Sequence, residues 1–426
     1  MSFPESFAGL YSVLDFGAVG DGVTDNTAAF AAALNEAGKK GGIVYAPPGK
    51  YRFDGRLNIP VGVTLQGSFG SVPAHNGNRD KGLPKPGDFG TVLCPYADKN
   101  NENAPAFITL NTNSTLKGVL VWYPDQREDG APYPYPWTVA MRGKDPAIID
   151  TELLNPYNAI DASMNERHII SRVFGQPLRR GIYINAIYDI GRVEDVHFNP
   201  WWSMKPAIVK FMVEEGEAFI IGRTDWEYMV NCFSIFYHIG FRFGDFGAGP
   251  GNAVLTQCGH DIAPITVQID ALQPHAGVSF NNCQFMGDFV VNETNEGPVR
   301  LNGCGFWGVV PGSQGNPGTR SNLHLNGRGH VILNGCHFTG WDQFPETKGK
   351  APSVEINCRT AAITSCDFID DKPCHITVSE NVQDCVILAN KFSGGARIVK
   401  DEKAGAQIGF NISAEKREAP KFHIPG

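Results

Sequence analysis

The sequence predicts an all-β chain wound as a right-handed parallel β-helix, a solenoid with one helix capping its N-terminal end. Three observations carry this. A short phrase recurs as Asn282-Cys283-Gln284-Phe285, Asn302-Gly303-Cys304-Gly305-Phe306, Asn334-Gly335-Cys336-His337-Phe338 and Ser365-Cys366-Asp367-Phe368, with Asn390-Lys391-Phe392 as a fifth copy. Its phenylalanines lie 21, 32, 30 and 24 residues apart. A period of about 20–50 residues marks stacked units that cannot bury their apolar face alone. Between the copies run short β-type stretches such as Val278-Ser279-Phe280 and His330-Val331-Ile332-Leu333, separated by Gly- and Asn-rich corners. No helical pattern of ordinary length lies between them, which excludes a βαβ sheet.

Taken in chain order, the first element is the helix. Asp25-Asn26-Thr27 supplies an N-cap, Phe30, Leu34 and Ala37 form one stripe, and Gly38 with Gly41-Gly42 ends it. Such a helix covers the open end of a solenoid, where core and strand edges would otherwise be exposed. The repeat reaches back to Val193-Glu194-Asp195-Val196-His197-Phe198. One domain, 1–426, is expected: cap and first coils in 1–67, loop-rich early coils in 68–150, main coils in 151–395 and a C-terminal cap or tail in 396–426. In each phrase Cys and Phe are two apart and share a strand face. The thiols are therefore expected as small buried apolar groups, not as disulfides. No Cys-x-x-Cys or His-Glu-x-x-His stretch supports zinc, so no metal site is expected.

Composition narrows the partners. Thirty-six Lys and Arg against 44 Asp and Glu leave a net charge of −8, which argues against nucleic acid or an anionic membrane. No apolar run approaches the roughly 18 residues of a membrane span. No secretory signal opens the chain, since the first cation is Lys39. The expectation is a protein kept inside the cell, or one whose signal has been trimmed.

At Val13-Leu14-Asp15-Phe16-Gly17-Ala18-Val19-Gly20-Asp21-Gly22-Val23-Thr24-Asp25-Asn26-Thr27 the chain resembles the opening of the pectate-lyase-like and polygalacturonase-like β-helix superfamily. Gly42-Ile43-Val44-Tyr45-Ala46-Pro47-Pro48-Gly49-Lys50-Tyr51 extends the resemblance, which is specific over residues 11 to 67. It implies a parallel β-helix and, for most members, hydrolysis, elimination or rearrangement of polysaccharides. The motif reports fold, so chemistry is argued from side chains. Gly17-x-x-Gly20-x-Gly22 lacks the order of a dinucleotide-binding loop, and Asp21 and Asp25 read as turn and cap residues.

Cleaving a glycosidic bond usually takes two carboxyl groups. Arg223-Thr224-Asp225-Trp226-Glu227-Tyr228 offers them: as a strand it puts Arg223, Asp225 and Glu227 on one outward face, about 6.8 Å between alternate residues. Asp189, Asp195 and His260 are further candidates, because stacked coils bring distant residues side by side and would line one groove. The four motifs of polygalacturonase-like enzymes are not matched: Gly259-His260-Asp261 keeps only Gly-His, and Asp370-Asp371 comes late. For sugar binding, Trp122, Tyr135, Trp137, Trp201 and Trp202 sit on Pro-stiffened loops that would offer ring faces to a glycan. Arg179 and Arg223 would meet an acidic sugar.

Three functions compete. A glycoside hydrolase using the paired carboxylates leads. The alternative is a polysaccharide lyase or epimerase, which needs a base and a uronate neutralised by Arg or calcium, the only cofactor foreseen. A non-catalytic glycan-binding spike or adhesin module is third. All three share a polysaccharide or oligosaccharide partner supplied outside the cytoplasm, and solenoids of this type suit a homotrimer.

Overall fold

The computed structural model describes residues 9–75, 82 and 85–415. Its contacts divide into two compact units, Met1–Ile235 and Phe236–Gly426. In the first, strands Leu10–Ser12, Gly42–Tyr45, Val63–Gln66, Thr115–Lys117, Ala147–Leu153, Ile169–Gly175 and Gly191–Phe198 stack in order, every pair parallel. A second ladder, Leu57–Ile59, Ile108–Leu110, Trp137–Met141, Asn158–Ser163, Arg180–Asn185 and Glu217–Ile221, is likewise parallel throughout. Each coil thus lays its inward residues on those of the previous coil. One such column, Val44, Leu65, Leu116, Ile148, Ile170 and Val193, is wholly buried. This is the parallel β-helix that the repeat predicts.

Helix α1, Thr27–Gly38, buries Phe30, Ala33, Leu34 and Ala37. It packs against Leu10–Ser12 and Leu57–Ile59, and the Phe30 ring meets Tyr51 and Phe53 edge-on at 5.1 and 4.9 Å. Asp25, and not Asn26, receives the first amide of the helix, from Thr27 at 3.0 Å. Asn26 instead grips the preceding turn, accepting from Val19 N and donating to Thr24 O, both at 2.7 Å. A second helix, α2, Pro206–Glu215, was not expected. Its signals are short but present: Pro206 at the first helical position, then buried Ile208, Val209, Met212 and Val213 at helical spacing. Among the described residues no helix is long and apolar enough to cross a membrane.

In the second unit three parallel ladders run through seven coils, and the recurring phrase is their corner. Gln257, Asn282, Gly303, Gly335, Ser365 and Ala389 all have φ between 53° and 64°. That left-handed bend favours Gly and Asn, which explains their place before the cysteine. The next residue points inward at the bend, the next outward, and the phenylalanine inward again. Phe285, Phe306, Phe338, Phe368 and Phe392 pair in register across the coils. Their ring centroids are 5.7, 5.0, 4.8 and 4.7 Å apart in sequence. Those separations match the spacing of neighbouring strands, so the coil pitch itself stacks the rings. All ten cysteines are free and buried, as expected of small core groups. Contact with Cys258 and burial push the Cys283 thiol up to about 12. In the fifth copy Asn390 replaces Cys, donating to Ile363 O and accepting from Cys366 N, both at 2.9 Å.

Candidate active site

The same corner organises the first unit, where Gly118, Asp150, Arg172, Asp195 and Asn231 have φ between 51° and 64°. Two residues beyond each bend comes an outward position, and these align as Leu120, Glu152, Phe174, His197 and Phe233. Upstream the column continues through Val92 to Lys50. Outward residues of a solenoid normally meet water. Here Thr91–Pro95 is buried along its whole length, so a layer covers its outer face as well. Phe69, Ala74, Tyr96, Trp122, Phe174 and Trp202 supply that layer, packed on Val92, Cys94, Leu120, Leu154 and Trp201.

Within it Glu152 is fully buried and meets one histidine. His75 N–H donates to Oε1 at 3.0 Å, and His75 Nδ1 makes a short contact with Oε2. Burial raises the Glu152 carboxyl above its ordinary range, and the His75 hydrogen bonds oppose only part of this. Glu152 therefore fixes the His75 ring through Nδ1. Cations stand along the same face: Lys50 Nζ lies 5.1 Å from the Trp122 ring centre and the Arg52 guanidinium 4.5 Å from that of Tyr96. Trp201 meets Phe174 and His197 edge-on at 4.6 and 5.1 Å. A buried acid–imidazole pair thus lies beneath a layer of partly exposed rings, with two cations against those rings.

The carboxylates singled out from sequence are placed otherwise. Asp225 and Glu227 do not share an outward face. Trp226 between them takes φ 65°, which turns the chain and sends Glu227 inward. Glu227 is fully buried, its Oε1 3.1 Å from His168 Nε2, with Asn165 Oδ1 2.9 Å from His168 Nδ1. Asp225 stays partly exposed and pairs with Arg223 at 3.1 Å. Arg223 also lies 5.6 Å from the exposed Tyr188 ring. Asp189 pairs with Arg167 at 2.8 Å, which lowers its pKa, and Asp195 at its exposed bend accepts from Asn231 at 2.7 Å. His260 lines no groove. It occupies the inward phenylalanine position of its corner, in register with Phe285, and is fully buried with Nε2 3.4 Å from Tyr237 O.

Of the aromatic candidates, Trp122, Trp201 and Trp202 come together in the layer around Glu152. Trp201 is nevertheless buried, and Tyr135 is fully buried against Tyr123 at 4.7 Å, so neither offers an open ring face. Their prolines hold these loops down on the flank. Trp137 is half-buried and stacks on Tyr183, and Arg179 faces Glu102 at 3.7 Å. Glu227→Gln is expected to cost about 1–3 kcal/mol, because it alters a buried polar pair. Thermal melts should register that loss while turnover, assayed beside Asp225→Asn, stays within about twofold of wild type (an exposed ion pair is worth about 1 kcal/mol or less).

Sequence reasoning missed Glu152 and His75. Asp150-Thr151-Glu152-Leu153 is a copy of the corner phrase without its Cys or Phe, and Glu152 fills its outward position. His75 is 77 residues away and joins only through the covering loop. One other titratable cluster stands in the second unit. His324 bridges Asp288 at 3.0 Å and Glu355 at 3.1 Å. The two carboxylates outweigh the desolvation of the ring and raise its pKa to about 9, so this cluster is a saturated ion network.

Among the described residues no group of three or more His, Cys, Asp or Glu is arranged to hold a metal ion. Asp54, Asp98 and Asp125 on the same flank pair with Arg52, Arg56 and Lys99. Calcium would have to displace those cations to bind there.

Fold and site together define a parallel β-helix with a covered acid–imidazole pair on its flank. Residues 10–142 match the family model for rhamnogalacturonase A/epimerase, pectate lyase-like. Mannuronan C5-epimerase AlgE2 of Azotobacter vinelandii is 56% identical over 130 residues, 28% of this chain and 13% of that enzyme. Alginate lyase 7 of the same organism is 56% identical over 46 residues, 11% of this chain and 5% of its own. Among solved structures, the N-terminal fragment of bacteriophage phi29 gene product 12 matches with a TM-score of 0.61 at 13% identity, covering 94% of this chain and 72% of that one. Over its N-terminal third the chain is thus similar to pectate-lyase-like proteins, and the phi29 fragment shares its fold alone.

Proposed function

We propose that the protein is a carbohydrate-active enzyme that abstracts the proton next to the carboxylate of a uronate in an acidic polysaccharide, as an epimerase or lyase. The observation that carries this reading is the buried Glu152–His75 pair on a face that also presents Lys50 and Arg52. Lys50 holds the sugar carboxylate, with Arg52, oriented by its pair with Asp54 at 2.9 Å, adding positive potential beside it, and Trp122, Tyr96 and Trp202 pack its apolar ring face. His75 Nε2 takes the C5 proton, and the electron pair moves into the carboxylate as an enediolate. Return of a proton from water to the opposite face inverts C5, the proton on His75 passing to solvent; alternatively the 4-O substituent leaves as a hydroxyl, taking up the proton from His75, and a C4–C5 double bond remains. The N-terminal likeness to mannuronan C5-epimerases and to an alginate lyase supports this chemistry. Hydrolysis by an Asp225/Glu227 pair, the leading expectation from sequence, has lost its geometric basis now that the two side chains diverge.

The test is incubation with polymannuronate, polygalacturonate and a neutral glucan in heavy water, read by proton NMR and mass spectrometry. Deuterium at C5 or an unsaturated end group is the expected result. Products heavier by one water per cut, with no exchange at C5, would replace this reading by hydrolysis.

A further inference from the structure

A second feature lies in the other unit, away from any aromatic layer. A cavity of about 290 Å³ opens there, lined by Glu293, Asn326, Arg328, Asn357, Arg359 and Gln383 among others. It forms where successive coils turn after the strands Asp288–Val291, Leu323–Leu325 and Val354–Ile356. Asn326 and Asn357 are stacked by one coil, with Asn357 Nδ2 donating to Asn326 Oδ1 at 3.1 Å. Asn326 Nδ2 is anchored on Val291 O at 2.9 Å. Arg359 N–H donates to Gly327 O at 3.0 Å, and its Nε to Gln383 Oε1 at 2.7 Å, which fixes the guanidinium plane along the rim. Arg328 is exposed and meets the exposed Glu296 at a loose 3.8 Å.

We infer that this cavity is a binding site for a carboxylate-bearing sugar, additional to the Glu152–His75 site. The lining names the ligand class. Two guanidinium groups stand on the lining with one carboxylate, Glu293, and among the described residues only the loose contact of Arg328 with the exposed Glu296 competes for them, on a chain whose net charge is −8. Guanidinium forks match a carboxylate with two parallel hydrogen bonds. The amides of Asn326, Asn357 and Gln383 both donate and accept, which suits vicinal hydroxyls. No aromatic ring lines the cavity, so the ligand is held by polar edges and not by stacking, unlike a base or a neutral sugar on a tryptophan. At about 290 Å³ the space falls near the lower end of ordinary ligand sites, enough for one or two sugar rings. Neighbouring coils repeat at about 4.8 Å, so the two arginines present charge along the solenoid axis in steps. An extended uronate chain would be met in the same direction.

The acidic glycan is shared with the proposed enzymatic reading, but the site is not, and binding is read independently of turnover. Isothermal titration with trigalacturonate and trimannuronate would be run on the wild type and on Arg328→Gln/Arg359→Gln, with maltotriose and inorganic phosphate as separate arms. The double variant should melt like wild type, since both side chains are exposed, and should keep its turnover of short substrates. Its affinity for the uronate trimers should fall at least about tenfold, the two charge-assisted contacts being worth more than 1.4 kcal/mol together. Wild-type affinity should weaken with added salt. Unchanged affinity in the variant would overturn the inference, as would equal binding of maltotriose. Phosphate binding as tightly as the trimers would reduce the site to a simple anion pocket and overturn the sugar assignment. Absence of turnover in every protein, with the binding difference intact, would strike the enzymatic reading and leave this one standing.

Discussion

Glu152→Gln is expected to lower turnover of the polyuronate substrate by about 10²–10⁴-fold, the usual reach of one positioned acid–base group. The substitution is nearly isosteric, and the Gln carbonyl still accepts the His75 N–H that Oε1 accepts at 3.0 Å. What changes is the second contact. The Gln amide can only donate to His75 Nδ1, which places the ring proton on Nε2, the atom that must receive the substrate's proton. The fault is therefore one of tautomer and not of folding. His75→Asn should cost a similar factor, and the double variant little more, because the two side chains act as one unit. The pH profile adds a readout that structure alone does not move. Burial holds the Glu152 carboxyl above its ordinary range, so the acidic limb of kcat/KM should lie above the usual carboxylate range, with activity rising as pH rises through it. In Glu152→Gln that limb should shift. Stability carries the opposite sign. A carboxyl raised on folding stabilises at low pH and loses that contribution as pH rises through its folded pKa, so the neutral Gln variant should gain on wild type on the alkaline side. Full activity of Glu152→Gln at every pH would remove the pair from the chemistry.

The difference between what could and could not be read from sequence has a physical source. The Phe285 to Phe392 repeat was legible because every coil needs the same thing at the same place: a bend, a small group, and a ring that stacks on its neighbours. Identity in sequence follows from identity of environment. The first unit makes the same bend at Asp150, Arg172 and Asp195, but its core there is filled by Thr151, Val173 and Val196 in place of cysteine. The signature fades although the backbone does not change. The divergence of Asp225 and Glu227 is hidden in the sequence because strand alternation fails at Trp226, where the chain turns with φ 65°. The place of His260 is hidden for the related reason that it holds a ring position of the core, which only the register with Phe285 discloses. Glu152 and His75 are joined by a loop crossing, and no local pattern encodes which loop lies on which strand.

Phe338→Ala should be the most damaging single truncation in the second unit. Its ring lies between Phe306 at 5.0 Å and Phe368 at 4.8 Å, tilted by 9° and 18° from them, and it is fully buried. Removing a buried phenylalanine typically costs about 3–5 kcal/mol, since the walls of the resulting cavity collapse only in part. Here the strands above and below are held at hydrogen-bonding distance by their ladders, so collapse is restricted and the cost should sit at the upper end. For a unit of this size a loss of that order should lower Tm by about 10 °C. Cys336→Ala in the adjacent inward position removes a single sulfur and should cost about 1 kcal/mol, the scale of one buried methylene-sized group. Urea titrations of the two variants, with and without reductant, separate the alternatives for the thiol column. Free thiols predict that reductant leaves the wild-type midpoint unchanged and that Phe338→Ala is much the weaker protein. A midpoint that drops on reduction would mean that the cysteines cross-link the coils, and then Cys336→Ala would be the costlier change. The repeat stabilises this unit by stacking rings at the pitch of the coil, and the ranking of these two substitutions measures that directly.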